Sequence, residues 1–149
     1  MNVAFFLIPK SQVAWIPIRS TLQHAMRQLE QSGSSALPVV DGAGRYAGAV
    51  TEGDVMRELH GVPAVTPRAT ERGQLAQICL RTNVRPVGID AQIEELFDRA
   101  IEQSFVPVID SREVFVGIVR RREILEYCAS ILRYQDPAER DETRPARSS

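Results

Sequence analysis

Apolar residues follow two rhythms along this chain, and each rhythm occurs twice. Leu22, Ala25, Met26 and Leu29 fall at i, i+3, i+4 and i+7, one stripe of an amphipathic helix. Ser20 is a candidate cap for that helix, Gln23 can reach back to it, and Gly33 supplies a stop. Ile93, Leu96, Phe97, Ala100 and Ile101 form a second stripe, with Asp90 as the candidate cap. A short Val- and Ile-rich run precedes each helix, at residues 13–18 and 84–89, and reads as a strand. An amphipathic segment leads into each run, at 3–8 and 73–80, and reads as a helix. After the first striped helix, "ALPVV" and "YAGAV" read as two strands joined by "DGAG", whose Asp and Gly suit a tight turn. A closing helix is expected at 52–60, ended by Gly61, and a longer one at 121–134.

The two sets are copies. "SALPVVDGAGRYAGAV" (35–50) matches "SFVPVIDSREVFVGIV" (104–119) without a gap at an offset of 69. Pro38 falls on Pro107, Asp41 on Asp110 and Gly48 on Gly117. Upstream the offset is 71, so the second copy is two residues shorter between its first helix and the next strand. Each copy is then a β-α-β-β-α unit with a leading helix. About 55 to 60 residues is marginal for an independent fold, so the copies should pack sheet to sheet over a shared core. The expected organisation is a first motif at 1–60, a connector at 61–72 containing Pro63 and Pro67, a second motif at 73–134, and a disordered polar tail at 135–149.

Composition narrows the function. With 44% hydrophobic and 25% charged residues, the chain is an ordinary globular domain. A net charge of -1 argues against a nucleic-acid binder. Cys79 and Cys128 lie far apart within apolar helical patterns, and His24 and His60 lie on helices without ligand partners, so no metal site is expected. The apolar run "VAFFLI" is too short for a signal peptide core or a membrane span, which points to the cytoplasm. A Ser-His-Asp set, a P-loop and paired carboxylates in a cleft motif are all missing from the sequence, so the expectation is a binding protein and not an enzyme.

A tandem β-α-β-β-α repeat carrying "PVVD…G…VTEGD" resembles a pair of CBS domains, the Bateman module, over residues 2–134. The implied fold class is α+β, two repeats packed sheet to sheet. The first copy keeps the family's Gly-x-x-Thr-x-x-Asp ending as Gly48, Thr51 and Asp54. The second departs from it, with Arg120, Arg121, Arg122 and Glu123 in that place. Within the family, "KSQVAWIPIRSTLQHAM", "SGSSALPVVD" and "AIEQSFVPVID…VRRREIL" are similar to the small stand-alone CBS pairs of Gram-positive bacteria that bind cyclic di-AMP.

The resemblance implies an adenine nucleotide held as a regulatory ligand in a cleft between the copies, with no other cofactor. It also implies a homodimer packed through helices and a partner protein that reads the bound state. The residues it points to are Val13, Ala14, Trp15, Ser35, Ala36, Leu37, Pro38, Thr51 and Asp54 in the first copy. In the second they are Val84, Arg85, Pro86, Phe105, Val106, Pro107 and Arg120 to Glu123.

The residue types suit that chemistry. A carboxylate can accept from two ribose hydroxyls, and arginine binds phosphate as a planar fork. Three arginines at a helix start oppose the helix dipole, which an anion would offset. Plainer roles stand beside these. Thr51 suits an ordinary N-cap, Asp54 a helix-start charge, Trp15 core or dimer packing, and the arginines a solvated face or ion pairs with Glu123, Glu126 or Asp110. The sequence leaves open a sensor of AMP, ADP or ATP, and a ligand-free dimerisation scaffold.

Overall fold

The computed structural model of the protein describes residues 1–60 and 74–135. The expected connector, Gly61, Gly73 and the tail beyond Gln135 lie outside those residues. The helices are α1 (Leu22–Ser32), α2 (Glu52–Leu59), α3 (Gln74–Cys79), α4 (Ile93–Glu102) and α5 (Arg121–Gln135). The strands are β1 (Ile8–Pro9), β2 (Ile16–Pro17), β3 (Ala36–Val40), β4 (Tyr46–Thr51), β5 (Val87–Gly88), β6 (Phe105–Ile109) and β7 (Phe115–Arg120). One sheet has the order β2-β3-β4 and the other β1-β7-β6-β5. In each, a parallel pair flanks an antiparallel hairpin, β3 with β4 or β6 with β7.

The repeat holds in register as well as in sequence. Pro38 faces Ala49 and Pro107 faces Ile118, and both hairpins slip by one residue next to their glycine, Gly48 or Gly117. Such bulges turn a strand's edge sharply. Both prolines lie inside a central strand, β3 or β6. The parallel neighbour begins pairing only one residue later, at Val39 or Val108, so each proline falls where no ladder bond to that neighbour is needed.

Several ends differ from expectation. The runs 13–18 and 84–89 are ladder-paired over two residues each, Ile16–Pro17 and Val87–Gly88, with one further bond apiece from the Ile18 N–H to the Val40 carbonyl and from the Ile89 N–H to the Ile109 carbonyl. Thr21, not Ser20, caps α1 by accepting from the His24 N–H, and Gly33 ends it at φ 67°. Gln92, not Asp90, holds the cap position of α4, without a side-chain bond. The leading segment at 3–8 is a 3₁₀ turn, Val3–Phe6, followed by β1, since Pro9 cannot extend a helix. Gln135, expected in the tail, closes α5.

The leading segments are exchanged. Val3 and Phe6 are buried in the core of the second repeat with Leu96, Val106 and Val119. Phe6 packs edge-on to Phe97 and Tyr127, with ring centroids 6.3 and 5.5 Å away. β1 then pairs antiparallel with β7, Ile8 opposite Ile118. Reciprocally, Leu75, Ile78 and Cys79 of α3 are buried in the core of the first repeat with Ile16, Leu37 and Val50. The hairpin glycines make room for this. A Cβ at Gly48 would come 2.9 Å from the Cys79 Cβ, and one at Gly117 would overlap the Ile8 carbonyl oxygen. Both glycines also hold positive φ, 152° and 156°.

A third cluster joins the sheets. Val40, Phe115 and Ile118 are buried between them, with Ile8, Val13, Trp15, Tyr46 and Phe105 packed around. The hairpins bond to each other by Phe115 N–H to Gly44 C=O at 2.9 Å and Tyr46 N–H to Glu113 C=O at 3.2 Å.

Candidate functional site

Two clefts lie between the repeats, and each is built from both copies. The first, of about 200 Å³, is lined by Val13, Ala14, Ser34, Ser35, Ala36 and Pro38 from the first repeat. Ser104, Phe105, Ile118, Arg120 and Arg122 complete it from the second. The second cleft, of about 400 Å³, reverses the arrangement. Asn83, Val84, Glu102, Gln103, Ser104 and Phe105 come from the second repeat, and Ser35, Ala36, Thr51, Glu52 and Gly53 from the first. The leading run of one copy therefore meets the closing-helix start of the other. Ser35, Ala36, Ser104 and Phe105 form the wall both clefts share.

The ends of β4 and β7 aim the two helix starts. Glu52 N–H donates to the Ser35 carbonyl at 3.0 Å, and Arg121 N–H to the Ser104 carbonyl at 2.9 Å. These equivalent bonds fix where α2 and α5 begin. At α2, Thr51 and Asp54 form a reciprocal capping box: Thr51 Oγ1 accepts from the Asp54 N–H, and Asp54 Oδ2 accepts from the Thr51 N–H. Asp54 Oδ1 also accepts from Arg57. Thr51 lines the second cleft, but Asp54 does not, its carboxylate being committed to the cap and to Arg57. Asp54, expected at a ribose, is held here by the cap and by Arg57.

The arginine triplet divides. Arg120 ends β7 and lines the first cleft with Arg122. Arg122 is 84% exposed, and its Nε donates to Glu126 at 3.1 Å. Arg121 is turned away and lines neither cleft. Its Nε donates to the Ala100 carbonyl at 2.6 Å and its guanidinium to the Ile101 carbonyl at 3.2 Å. It thereby satisfies carbonyls at the end of α4 that have no helical partner, so Arg121, expected at the ligand, has a structural place in the fold.

The remaining expected positions sort by burial. Val13, Ala14, Ser35, Ala36, Pro38 and Phe105 line the first cleft as the sequence suggested. Leu37, Val106 and Pro107 do not line either cleft: Leu37 and Val106 are fully buried core residues, and Pro107 is buried. Trp15 packs in the cluster between the sheets, with the Lys10 ammonium 4.3 Å from its ring centre, a cation–π contact. Arg85 is exposed and lines neither cleft by its side chain, but its backbone is bonded to Gln103.

Several lining residues carry no signal in the repeat pattern, among them Ser34, Asn83, Glu102 and Ile118. Two residues that act on the second cleft could have been found by comparing the copies: Gln103, which lines it, stands where the first has Ser34, and Tyr46, packed behind it, stands where the second has Phe115. Gln103, 8% exposed, accepts from the Arg85 N–H at 2.8 Å and donates to the Arg85 and Phe105 carbonyls at 3.0 and 3.2 Å. The Tyr46 hydroxyl donates to the Val84 carbonyl at 2.5 Å, and burial holds its phenol protonated well above the ordinary range.

The clefts differ in charge. The first has two arginines at the start of α5, where backbone N–H groups and the helix dipole also favour an anion. The second has Glu52 and Glu102. Among the described residues no group of His, Cys, Asp and Glu could hold a metal ion, and no helix is long and apolar enough to cross a membrane.

A paired-repeat architecture with a basic interdomain cleft defines a class, and comparison with known proteins agrees with it. The CBS domain family matches residues 7–61 and 75–130, and the chain belongs to that family as a tandem pair. It is 27% identical over 125 residues to cyclic di-AMP receptor B of Bacillus subtilis (strain 168), covering 84% of each chain. A crystal structure of CbpB in complex with c-di-AMP superposes with a TM-score of 0.72 at 26% identity, covering 89% of this chain and 87% of that one. A hypothetical conserved protein of Geobacillus kaustophilus superposes with a TM-score of 0.76 at 27% identity, covering 88% and 98%.

Proposed function

We propose that this CBS pair is a regulatory sensor that binds an adenine nucleotide, cyclic di-AMP first among them, in the first cleft. The observation that carries the reading is one of position. Arg120 and Arg122 stand across the same cleft from Val13 and Ala14, so phosphate-binding forks face a strand backbone that can read a base edge. The similarity to a protein named cyclic di-AMP receptor B and to a CbpB structure holding c-di-AMP supports the choice of ligand.

The protein works by binding and not by catalysis. A ligand that prefers one shape of the joined repeats and their outer helices shifts the population toward it, and a partner protein reads the shift. The working form is a cytoplasmic homodimer. Met56 on α2 and Leu125 and Leu132 on α5 are 69%, 59% and 62% exposed, which suits helix-to-helix packing between two copies.

Calorimetric titration with cyclic di-AMP, AMP, ADP, ATP and S-adenosylmethionine tests the proposal. No binding of any of them at ~1 mM sinks it. Binding of AMP or ATP without cyclic di-AMP keeps an adenine sensor and removes the cyclic dinucleotide.

A further inference from the structure

The second cleft has the same ancestry as the first, and its backbone is already occupied by the chain itself. Arg85 corresponds to Ala14 at the repeat's upstream offset. The Arg85 N–H and C=O are both taken by one carboxamide, that of Gln103. One residue of an extended chain presents its N–H and C=O to the same side. Adenine presents a ring-nitrogen acceptor beside an exocyclic amino donor, and a carboxamide presents an oxygen acceptor beside an amino donor. The Gln103 side chain therefore offers Arg85 the same pair of complementary groups that an adenine would.

Tyr46 adds to the block by donating to the neighbouring Val84 carbonyl. In the first cleft neither device exists. The counterpart of Gln103, two residues before its strand, is Ser34, and the counterpart of Tyr46 is Phe115, which has no hydroxyl. Among the described residues no group bonds the N–H or C=O of Ala14. The charges run the same way, since Glu52 and Glu102 stand where a phosphate would approach the second cleft and Arg120 and Arg122 where it would approach the first.

We infer that Gln103 is a built-in plug that mimics an adenine edge, closes the second cleft to nucleotides, and limits each chain to one adenine site at Ala14. The inference rests on the proposed adenine-binding role for the first cleft, but the plug itself can be tested apart from it.

The experiment follows backbone amides by ¹⁵N NMR in the full chain. AMP added to the wild type is expected to move the Ala14 amide and leave Arg85 in place, with calorimetry giving one AMP per chain. The Gln103→Ser variant is titrated with adenosine, which lacks the phosphate that Glu52 and Glu102 would repel. Adenosine should then move the Arg85 amide, which it does not do in the wild type. Ser34→Gln, a change in a loop, is expected to plug the first cleft and weaken AMP binding at least ~10-fold, the loss of one hydrogen-bonded contact. Two AMP per wild-type chain, or an Arg85 shift on adding AMP, overturns the inference. So does a folded Gln103→Ser protein whose Arg85 amide ignores adenosine. If Gln103→Ser does not fold, the wild-type stoichiometry and Ser34→Gln decide, and Ser34→Gln binding AMP as tightly as wild type overturns the plug. A wild type that binds no adenine compound, beside a Gln103→Ser that binds adenosine at Arg85, removes the proposed function and leaves the plug standing.

Discussion

Tyr46 and Phe115 stack on one another with ring centres 6.4 Å apart and planes 29° from parallel, and they are the same position in the two repeats. The axis relating the repeats thus passes between two aromatic rings, flanked by the bridge of Arg45 with Val114, another equivalent pair. The pair also marks where the symmetry breaks, because only Tyr46 has a hydroxyl to give to the Val84 carbonyl.

Tyr46→Phe keeps the stack and removes the hydroxyl. It is expected to destabilise the protein by about 1 kcal/mol, the net worth of an ordinary hydrogen bond. A urea unfolding series checks this: the midpoint should fall while the slope with denaturant stays unchanged. Tyr46→Ala should cost several times more, since it empties one side of the cluster that joins the sheets.

The three arginines should separate cleanly. Arg120→Ala and Arg122→Ala are expected each to weaken nucleotide binding by about 1.5–3 kcal/mol, the scale of a bond to a charged group, with little change in melting temperature. Arg121→Ala should do the opposite. It strips the Ala100 and Ile101 carbonyls of their donor and should lower stability by about 1–2 kcal/mol with affinity retained. Calorimetry and thermal melts on the three variants decide; equal loss of affinity in all three would refute the division.

Gly117→Ala tests the exchange of leading segments. The added methyl meets the Ile8 carbonyl, which is backbone and cannot swing aside, so β1 must leave β7. The variant is expected to lose more than about 3 kcal/mol or fail to accumulate folded, judged by circular dichroism and yield. Gly48→Ala presses on the Cys79 and Thr82 side chains instead and should be the milder of the two.

Cys79 predicts an alkaline weakness. Burial, with the Asp54 charge as a smaller cause, pushes its thiol up to about 11 from a reference of 9.0. The folded state keeps a proton that the unfolded state releases, so stability is untouched below about pH 9 and falls as pH rises from there toward 11. The steepest slope is about 1.4 kcal/mol per pH unit for one group. Denaturation series from pH 8 to 10.5 should show the decline, and Cys79→Ala should flatten it. In the native state the thiol should also resist labelling at pH 8.

The sequence made the architecture legible because the repeat is ungapped from Ser35 to Val50 and both bulge glycines are kept. By resemblance it pointed to Ala14, Ala36, Phe105 and Arg120, which the fold brings to one cleft. It did not show that the copies trade partners. An offset of 69 says that Thr51 and Arg120 are equivalent, but only the packing of two sheets says which strand run each one faces. Arg121 was illegible for a related reason: its partners are main-chain carbonyls at the end of α4, which no residue type announces. The leading segments misled because their apolar pattern suited a local helix, while the bulge at each glycine had room only for a segment from the other copy.

That crossing of leading segments has a mechanical consequence. β1 is stitched to the second sheet and α3 lies against the first, so each repeat holds the other by the wrist. Swivelling one half against the other would strip Ile8 from Ile118 and draw Cys79 out from beside Gly48. The chain is accordingly one closed clasp and not a hinged pair. If the first cleft takes a ligand as proposed, the ligand would tighten or bow that clasp as a whole, and its effect would be felt at the outer helices and not at a gap opening in the middle.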